Sequence, residues 1–134
     1  MTQDDFDVVY RYTRAQAIGD GVLIDLTDWA KETGFRIPVA CTAAVWHQYI
    51  VPSEELEEPG QSERGRAHDM LWVLFNAIRQ ADADTDRLLF KVIFLMPSQW
   101  RGRRECRDTI TLKSLCGPGD EAEPVLTILL PSED

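Results

Sequence analysis

The clearest pattern of apolar positions lies in the middle of the chain. Apolar side chains recur there at i, i+3, i+4, i+7 and i+11, at Ala67, Met70, Leu71, Leu74 and Ile78. Trp72, Val73 and Phe75 extend the apolar surface beyond one stripe, and we expect the helix to begin at Ser62 or Glu63. A helix that is apolar over most of its circumference is expected to be central. The pattern therefore predicts a long helix that packs against a sheet and against a second helix.

Three shorter helices are predicted before this one from their capping residues. Thr13 and Gln16 have the spacing of a capping box, which predicts a helix that ends at the turn formed by residues 19–21. A brief second helix is predicted over residues 28–33. The hydroxyl group of Thr42 can cap a third helix.

Short apolar runs bounded by turn residues predict the strands, at residues 22–26, 88–95, 109–113 and 125–130. The run 88–95 is apolar at both alternating sets of positions apart from Lys91, which is typical of a strand buried on both faces. We therefore expect it to be central in the sheet. Strands this close in the chain should pair as an antiparallel meander, with a turn at residues 117–120. The predicted fold is one α+β domain, residues 1–134, in which an antiparallel sheet of three or four strands packs on one dominant helix with shorter N-terminal helices.

The charge balance narrows the choice of partner. The chain has 14 Lys and Arg against 23 Asp and Glu, which gives a net charge of −9. Solubility alone would explain this charge, but it also repels phosphate backbones, so we expect no direct binding of nucleic acid. The same field attracts basic proteins and speeds their encounter at low salt. The predicted partner-binding residues are the clustered acids Glu54, Glu55, Glu57, Glu58, Asp82, Asp84 and Asp86.

One basic stretch interrupts this acidic background. Trp100 is followed within seven residues by four arginines, Arg101, Arg103, Arg104 and Arg107. Guanidinium groups beside an aromatic ring are what single-stranded nucleic acids contact, but the net charge opposes that interpretation. We expect residues 97–107 to form a solvated loop whose arginines pair with the protein's own acids.

Motifs for catalysis and metal binding are missing from the sequence. Cys41, Cys106, Cys116, His47 and His68 are the candidate metal ligands, and their spacing matches no zinc motif. Cys116 with one of the histidines is the least implausible nucleophilic pair, but no nucleophile elbow surrounds it, and we expect it to be a buried, inert thiol. The sequence therefore predicts no metal, no cofactor and no enzymatic activity.

Location and oligomeric state rest on weaker signals. No apolar stretch is long enough for a signal peptide or a membrane span, so we expect a cytoplasmic protein without membrane contact. Three cysteines at irregular spacing suit thiols in a reducing cytosol better than disulfides. The oligomeric state stays open between a monomer and a homodimer, and exposure of Trp72 or Phe75 on the far side of the long helix would favour the dimer.

Several short motifs together resemble a known family. They are residues 12–23, Gly34-Phe35, Pro38-Val39-Ala40, Val45-Trp46, Gly60-Gln61-Ser62, Gly65-Arg66 and Cys116-Gly117-Pro118-Gly119-Asp120. On these motifs the chain is similar to a family of small acidic proteins encoded on bacterial plasmids, prophages and other mobile elements. The likeness spans nearly the whole chain, and it implies a shared fold while carrying over no catalytic residue.

The resemblance also implies a biological context. Small acidic proteins of such elements are often counter-defence factors, including inhibitors of CRISPR effector complexes. A CRISPR effector holds its nucleic acids in a positively charged channel, which clustered carboxylates can occupy as phosphate mimics. The expected function is therefore an inhibitory binding protein that docks on a basic surface of a host protein or nucleoprotein complex, with an anti-CRISPR role as the leading example.

A ligand pocket is the alternative hypothesis. Trp46, His47, Ser62 and Arg66 lie near the ends of two predicted helices and combine aromatic, basic and hydroxyl groups. A small enzyme or ligand-binding domain would use a pocket formed near these four residues.

Overall fold

The computed structural model describes residues 12–54, 60–82, 85–98 and 105–134. Its elements follow in the order α1 (Arg14–Gly19), β1 (Leu23–Asp25), α2 (Thr27–Thr33), β2 (Val39–Thr42), α3 (Ala43–Val45), a π-helix (Trp46–Ile50), α4 (Glu63–Gln80), β3 (Arg87–Pro97), β4 (Glu105–Pro118) and β5 (Pro124–Leu129). The predicted α+β class is confirmed. None of the helices in the described ranges has the length and apolarity needed to cross a bilayer.

The sheet differs from the prediction in strand number and direction. It has five strands in the order β1-β2-β5-β4-β3, and β2 runs parallel to β5 while the other pairs are antiparallel. The prediction of a purely antiparallel sheet of three or four strands is therefore wrong. The missed strand is β2, whose short run Val39–Thr42 follows Pro38. Proline is tolerated at the start of a strand, so Pro38 prevents a helix at this position but does not prevent a strand after it.

The position of β3 also corrects the prediction. It is an edge strand, and β5 occupies the centre of the sheet. Phe90, Val92 and Phe94 are buried, but Leu89 and Ile93 on the opposite face are 60% and 61% exposed. A continuous apolar run indicates burial on both faces only when something covers both faces. In the described part of the chain, no element packs on the face of β3 that carries Leu89 and Ile93.

The helix starts follow the caps read from the sequence. Thr13 and Gln16 form the predicted capping box. The Ser62 hydroxyl accepts a hydrogen bond from the Gly65 backbone N–H at 3.0 Å and caps α4. Thr42 caps α3 in the same way, but the third predicted helix continues as a π-helix instead of a regular α-helix. Single π-helical turns often mark functional sites.

The core lies between α4 and one face of the sheet. Its fully buried side chains include Met70, Leu71 and Leu74 from α4, Val92 and Phe94 from β3, Leu112 from β4 and Ile128 from β5. The helix α2 packs beside α4, as the sequence predicted for a second helix. Gly34 ends α2 at φ +125°, and a Cβ there would lie 3.1 Å from the Phe75 ring, so only glycine permits this approach without strain.

The helix α1 lies on the other face of the sheet. The Arg14 guanidinium donates to the Thr127 hydroxyl at 2.7 Å and to the Leu126 backbone oxygen at 2.8 Å. The side chains of Leu126 and Ile128 are buried in the core under α4, so the Thr127 side chain points to the opposite face. Helices therefore lie on both faces of the sheet, with α4 on one face and α1 on the other.

The core assignment predicts unequal effects for two identical substitutions. Leu74 is fully buried, and Leu74→Ala should lower the free energy of unfolding by about 2–5 kcal/mol because it leaves a cavity. Leu89→Ala removes the same atoms from an exposed position and should cost less than about 1 kcal/mol. Urea unfolding followed by circular dichroism measures both values. Equal losses for the two variants would contradict this core.

Candidate functional site

The structure describes three of the seven predicted partner-binding acids. Asp82 and Asp86 are exposed in the connection between α4 and β3. Glu54 is also exposed, and it is the last residue of the described range 12–54. The other four, Glu55, Glu57, Glu58 and Asp84, lie outside the described residues. Within the described part of the chain, neither Asp82 nor Asp86 forms an ion pair or a side-chain hydrogen bond. Both carboxylates are available to a partner.

These two carboxylates stand at the rim of a cavity of about 200 Å³. We call it the Asp82–Asp86 cavity. Its floor comes from three neighbouring strands and its walls from the end of α4 and the segment before β2: Leu88, Ser114, Cys116, Leu126, Ile78, Ala81 and Ile37, with Thr85 at the rim. The lining is mostly apolar.

The cavity forms because α4 ends before the strands beneath it do. The chain leaves the helix after Gln80, where the Ala81 N–H still donates to the Ile78 carbonyl at 3.2 Å. The connection then returns to the sheet, and the Cys116 N–H donates to the Asp86 carbonyl at 2.7 Å. This leaves the strand ends uncovered beside two acidic residues.

The arrangement of apolar and acidic groups can bind a complementary side chain. An apolar hollow with two carboxylates at its rim complements an apolar side chain that stands next to a lysine or arginine. Neither His47 nor His68 lines this cavity, so the thiol of Cys116 has no imidazole base beside it there. Across the residues that the structure describes, no cluster of three or more His, Cys, Asp or Glu side chains could hold a metal ion.

The cysteines differ in accessibility. All three are thiols, and Cys116 is exposed, which corrects the expectation of a buried thiol. Its strand β4 extends past the end of α4, so no helix covers it. Cys41 is buried in β2, and burial raises the pKa of its thiol to about 12. Cys41 therefore stays protonated and unreactive in the folded protein.

A second site surrounds Arg66, which is only 2% exposed. Its Nε donates to the Tyr49 carbonyl at 2.6 Å, and its Nη1 donates to the Leu95 carbonyl at 2.7 Å. The guanidinium also lies 5.0 Å from the centre of the Phe94 ring. Burial lowers the pKa of Arg66. Arg66 forms no ion pair among the described residues, and the groups that accept its hydrogen bonds are neutral. The nearby charge of Asp69 partly offsets the effect of burial on the pKa of Arg66.

The pocket beside Arg66 measures about 300 Å³ and brings together two of the four residues of the alternative hypothesis, Arg66 and His47. Ser53 also lines it, and its hydroxyl oxygen is buried without a hydrogen-bond partner. Trp46 lies elsewhere, where its ring stacks on Trp29 at 6.3 Å in a separate small cavity. Ser62 caps α4 and does not line the pocket.

The predicted arginine loop, residues 97–107, lies partly within the described residues. Residues 99–104 of the arginine stretch lie outside the described residues. Arg107 belongs to β4, so the end of the predicted loop is strand. The apolar lining of the Asp82–Asp86 cavity was not predicted, although Ile78 and Leu88 on either side of the acidic connection were the available signal.

We expect substitution of Arg66 to lower the free energy of unfolding more than substitution of an exposed arginine on the same helix. Arg66→Met should lower the free energy of unfolding by about 2–4 kcal/mol, because it removes the donor to the partly buried Tyr49 and Leu95 carbonyls. Arg64→Met is the matched control on the same helix, because Arg64 is exposed and its ion-pair partner among the described residues is the exposed Glu32. It should cost less than about 1 kcal/mol. A small loss for Arg66→Met in chemical unfolding would show that Arg66 does not hold these segments together.

Comparison with known proteins adds a family to this geometry. No curated protein and no solved structure matches the chain. The model of one protein family matches residues 3–134, which is nearly the whole chain, and that family is described as a family of unknown function. The chain therefore belongs to the family of unknown function DUF6573.

Proposed function

We propose that this protein is a non-enzymatic binding protein that docks on a basic surface of a nucleic-acid-handling protein through the Asp82–Asp86 cavity. The observation that carries the proposal is a pair of exposed carboxylates, without ion-pair partners among the described residues, beside an apolar hollow. Full burial of one apolar side chain is worth about 1.5–3 kcal/mol, and the carboxylates select a partner with cations around that side chain. The net charge of −9 draws the two proteins together before contact.

The proposed partner is a host defence complex, with a CRISPR effector as the leading example. Two features support this choice: the resemblance to small acidic proteins of mobile elements, and an acidic surface that complements a nucleic-acid channel. In this role the glutamates at residues 54, 55, 57 and 58 provide a second contact with the partner. The protein would then act as an inhibitor by covering the surface that nucleic acid needs.

Charge reversal at the cavity tests the proposal. The double variant Asp82→Lys/Asp86→Lys should weaken binding to a purified, guide-loaded CRISPR effector by about tenfold or more, because it replaces two attractive contacts with repulsive ones. Titration of the labelled protein with the effector gives the Kd at low and at high salt. A second variant that reverses the four glutamates at residues 54, 55, 57 and 58 measures the contribution of that stretch separately.

The control is Asp69→Lys/Glu121→Lys, which changes the net charge equally at exposed residues outside the cavity. Binding that survives the control and fails with the cavity variant supports docking at the cavity. Equal weakening by both double variants would mean that only the overall charge matters and would exclude the cavity. Absence of any binding by the unmodified protein would exclude this partner.

Ligand binding beside Arg66 is a second candidate function. It is favoured by the buried guanidinium without a carboxylate partner among the described residues, and by the unpartnered hydroxyl of Ser53 in the same pocket. His47 stands at the wall and can add a further donor. Such a pocket suits a small anion, which would balance the charge of Arg66.

A thermal-shift series distinguishes this candidate. Inorganic phosphate and citrate should each raise the Tm by about 4 °C or more if they bind, and chloride at the same ionic strength should not. The variants Ser53→Ala and His47→Ala leave the bonds of Arg66 intact and should reduce the shift. Equal shifts in the unmodified protein and in both variants would reflect general salt effects and would exclude the pocket.

A further inference from the structure

The outer edge of β3 has a pattern of polar backbone groups that can be derived from three hydrogen bonds. The Asp86 carbonyl points to β4, because it accepts from the Cys116 N–H. Backbone groups of successive residues in an antiparallel strand point alternately to its two sides. The N–H and C=O groups of Leu89, Lys91 and Ile93 therefore point away from the sheet.

Two further contacts agree with this direction and define where the free edge begins and ends. The Arg87 carbonyl accepts from the Thr85 hydroxyl at 2.8 Å, and the Leu95 carbonyl accepts from Arg66 at 2.7 Å. Both carbonyls point outward and both are occupied. Between them, in the described part of the chain, no strand pairs with the outward groups of residues 89–93. These groups form a row of donors and acceptors of the kind that accepts an added strand.

The uncovered face of β3 is basic around Lys91. Leu89 and Ile93 are more than half exposed, and Lys91 lies exposed between them on the same face. Arg87 and Arg107 are exposed on that face as well. On this face no acid stands among the positions from Arg87 to Leu95 of β3 or among their β4 partners, although the chain as a whole has a net charge of −9. Glu105, opposite Pro97, is the first acidic position beyond them. The strand pair is therefore locally basic around Lys91.

We propose that the edge of β3 binds an extended acidic segment of a partner protein by β-strand addition. Cross-strand neighbours on one face lie directly opposite each other, so the added strand should place an aspartate or glutamate opposite Lys91. Aliphatic residues two positions away on either side would cover Leu89 and Ile93. This surface is distinct from the Asp82–Asp86 cavity, and the two take partners of opposite charge.

A second copy of this chain fits the edge less well. Antiparallel pairing of two β3 strands around their middle would place Lys91 opposite Lys91 of the other copy, and like charges directly opposite each other destabilise a strand pair. Lysine on an exposed edge also hinders pairing with identical chains. An acidic strand meets the same backbone groups without that repulsion.

Peptide binding followed by NMR tests the proposal. A peptide containing Val-Thr-Glu-Thr-Val, added to about 1 mM, should shift the backbone amide signals of Leu89, Lys91 and Ile93 and slow their hydrogen exchange. The same peptide with lysine in place of glutamate should bind about fivefold more weakly. A third peptide with N-methylated backbone groups on the pairing side should not bind, because it cannot form the ladder.

Two further measurements complete the test. The exposed-residue variant Lys91→Glu should reverse the preference, so that the lysine peptide binds more tightly than the glutamate peptide. The proposal is wrong if these amides do not respond, if the N-methylated peptide binds equally well, or if the charge of the peptide has no effect. If sedimentation shows that the free protein is a dimer and Leu89→Lys abolishes that dimer, the edge binds a second copy of this chain and the proposed acidic partner is wrong.

Discussion

The packing of α4 against β3 is the interaction on which the rest of the structure depends, because it is fixed at both ends. At one end Arg66 of α4 donates to the Leu95 carbonyl. At the other end the connection through residues 81–86 returns the chain from the helix directly into β3. Between these ends, Leu71 and Leu74 are buried in one core with Val92. Every candidate surface of the protein borders this helix and strand pair.

Three such surfaces follow from the same geometry. The helix stops before the strands do, which opens the Asp82–Asp86 cavity at the end of α4. Arg66 at the start of α4 borders a pocket beside the π-helix. The helix covers one face of β3, so Leu89 and Ile93 stay exposed on the other. The acidic cavity and the basic edge are the two surfaces on which the proposed binding of partner proteins rests.

Local signals in the sequence predicted local structure well. The caps at Thr13 and Ser62 and the extent of α4 depend on neighbouring residues, so they could be read directly. The place of β3 in the sheet could not, because an apolar run does not reveal which strands lie beside it. The exposure of Asp82 and Asp86 followed from their polarity, but the hollow beside them needs Ile37 and Leu126, which are distant in the chain. Contacts of that kind are set by the whole fold.

The most direct test of docking at the Asp82–Asp86 cavity is the alkylation rate of its own thiol, Cys116, in the free protein and in a partner complex. Cys106 is an internal reference, because it lies on the same strand ten residues away from the cavity. Cys41 should stay unmodified in both states. The account predicts that the bound partner slows alkylation of Cys116 by about tenfold or more and leaves Cys106 unchanged. An unchanged rate at Cys116 in a saturated complex would contradict it.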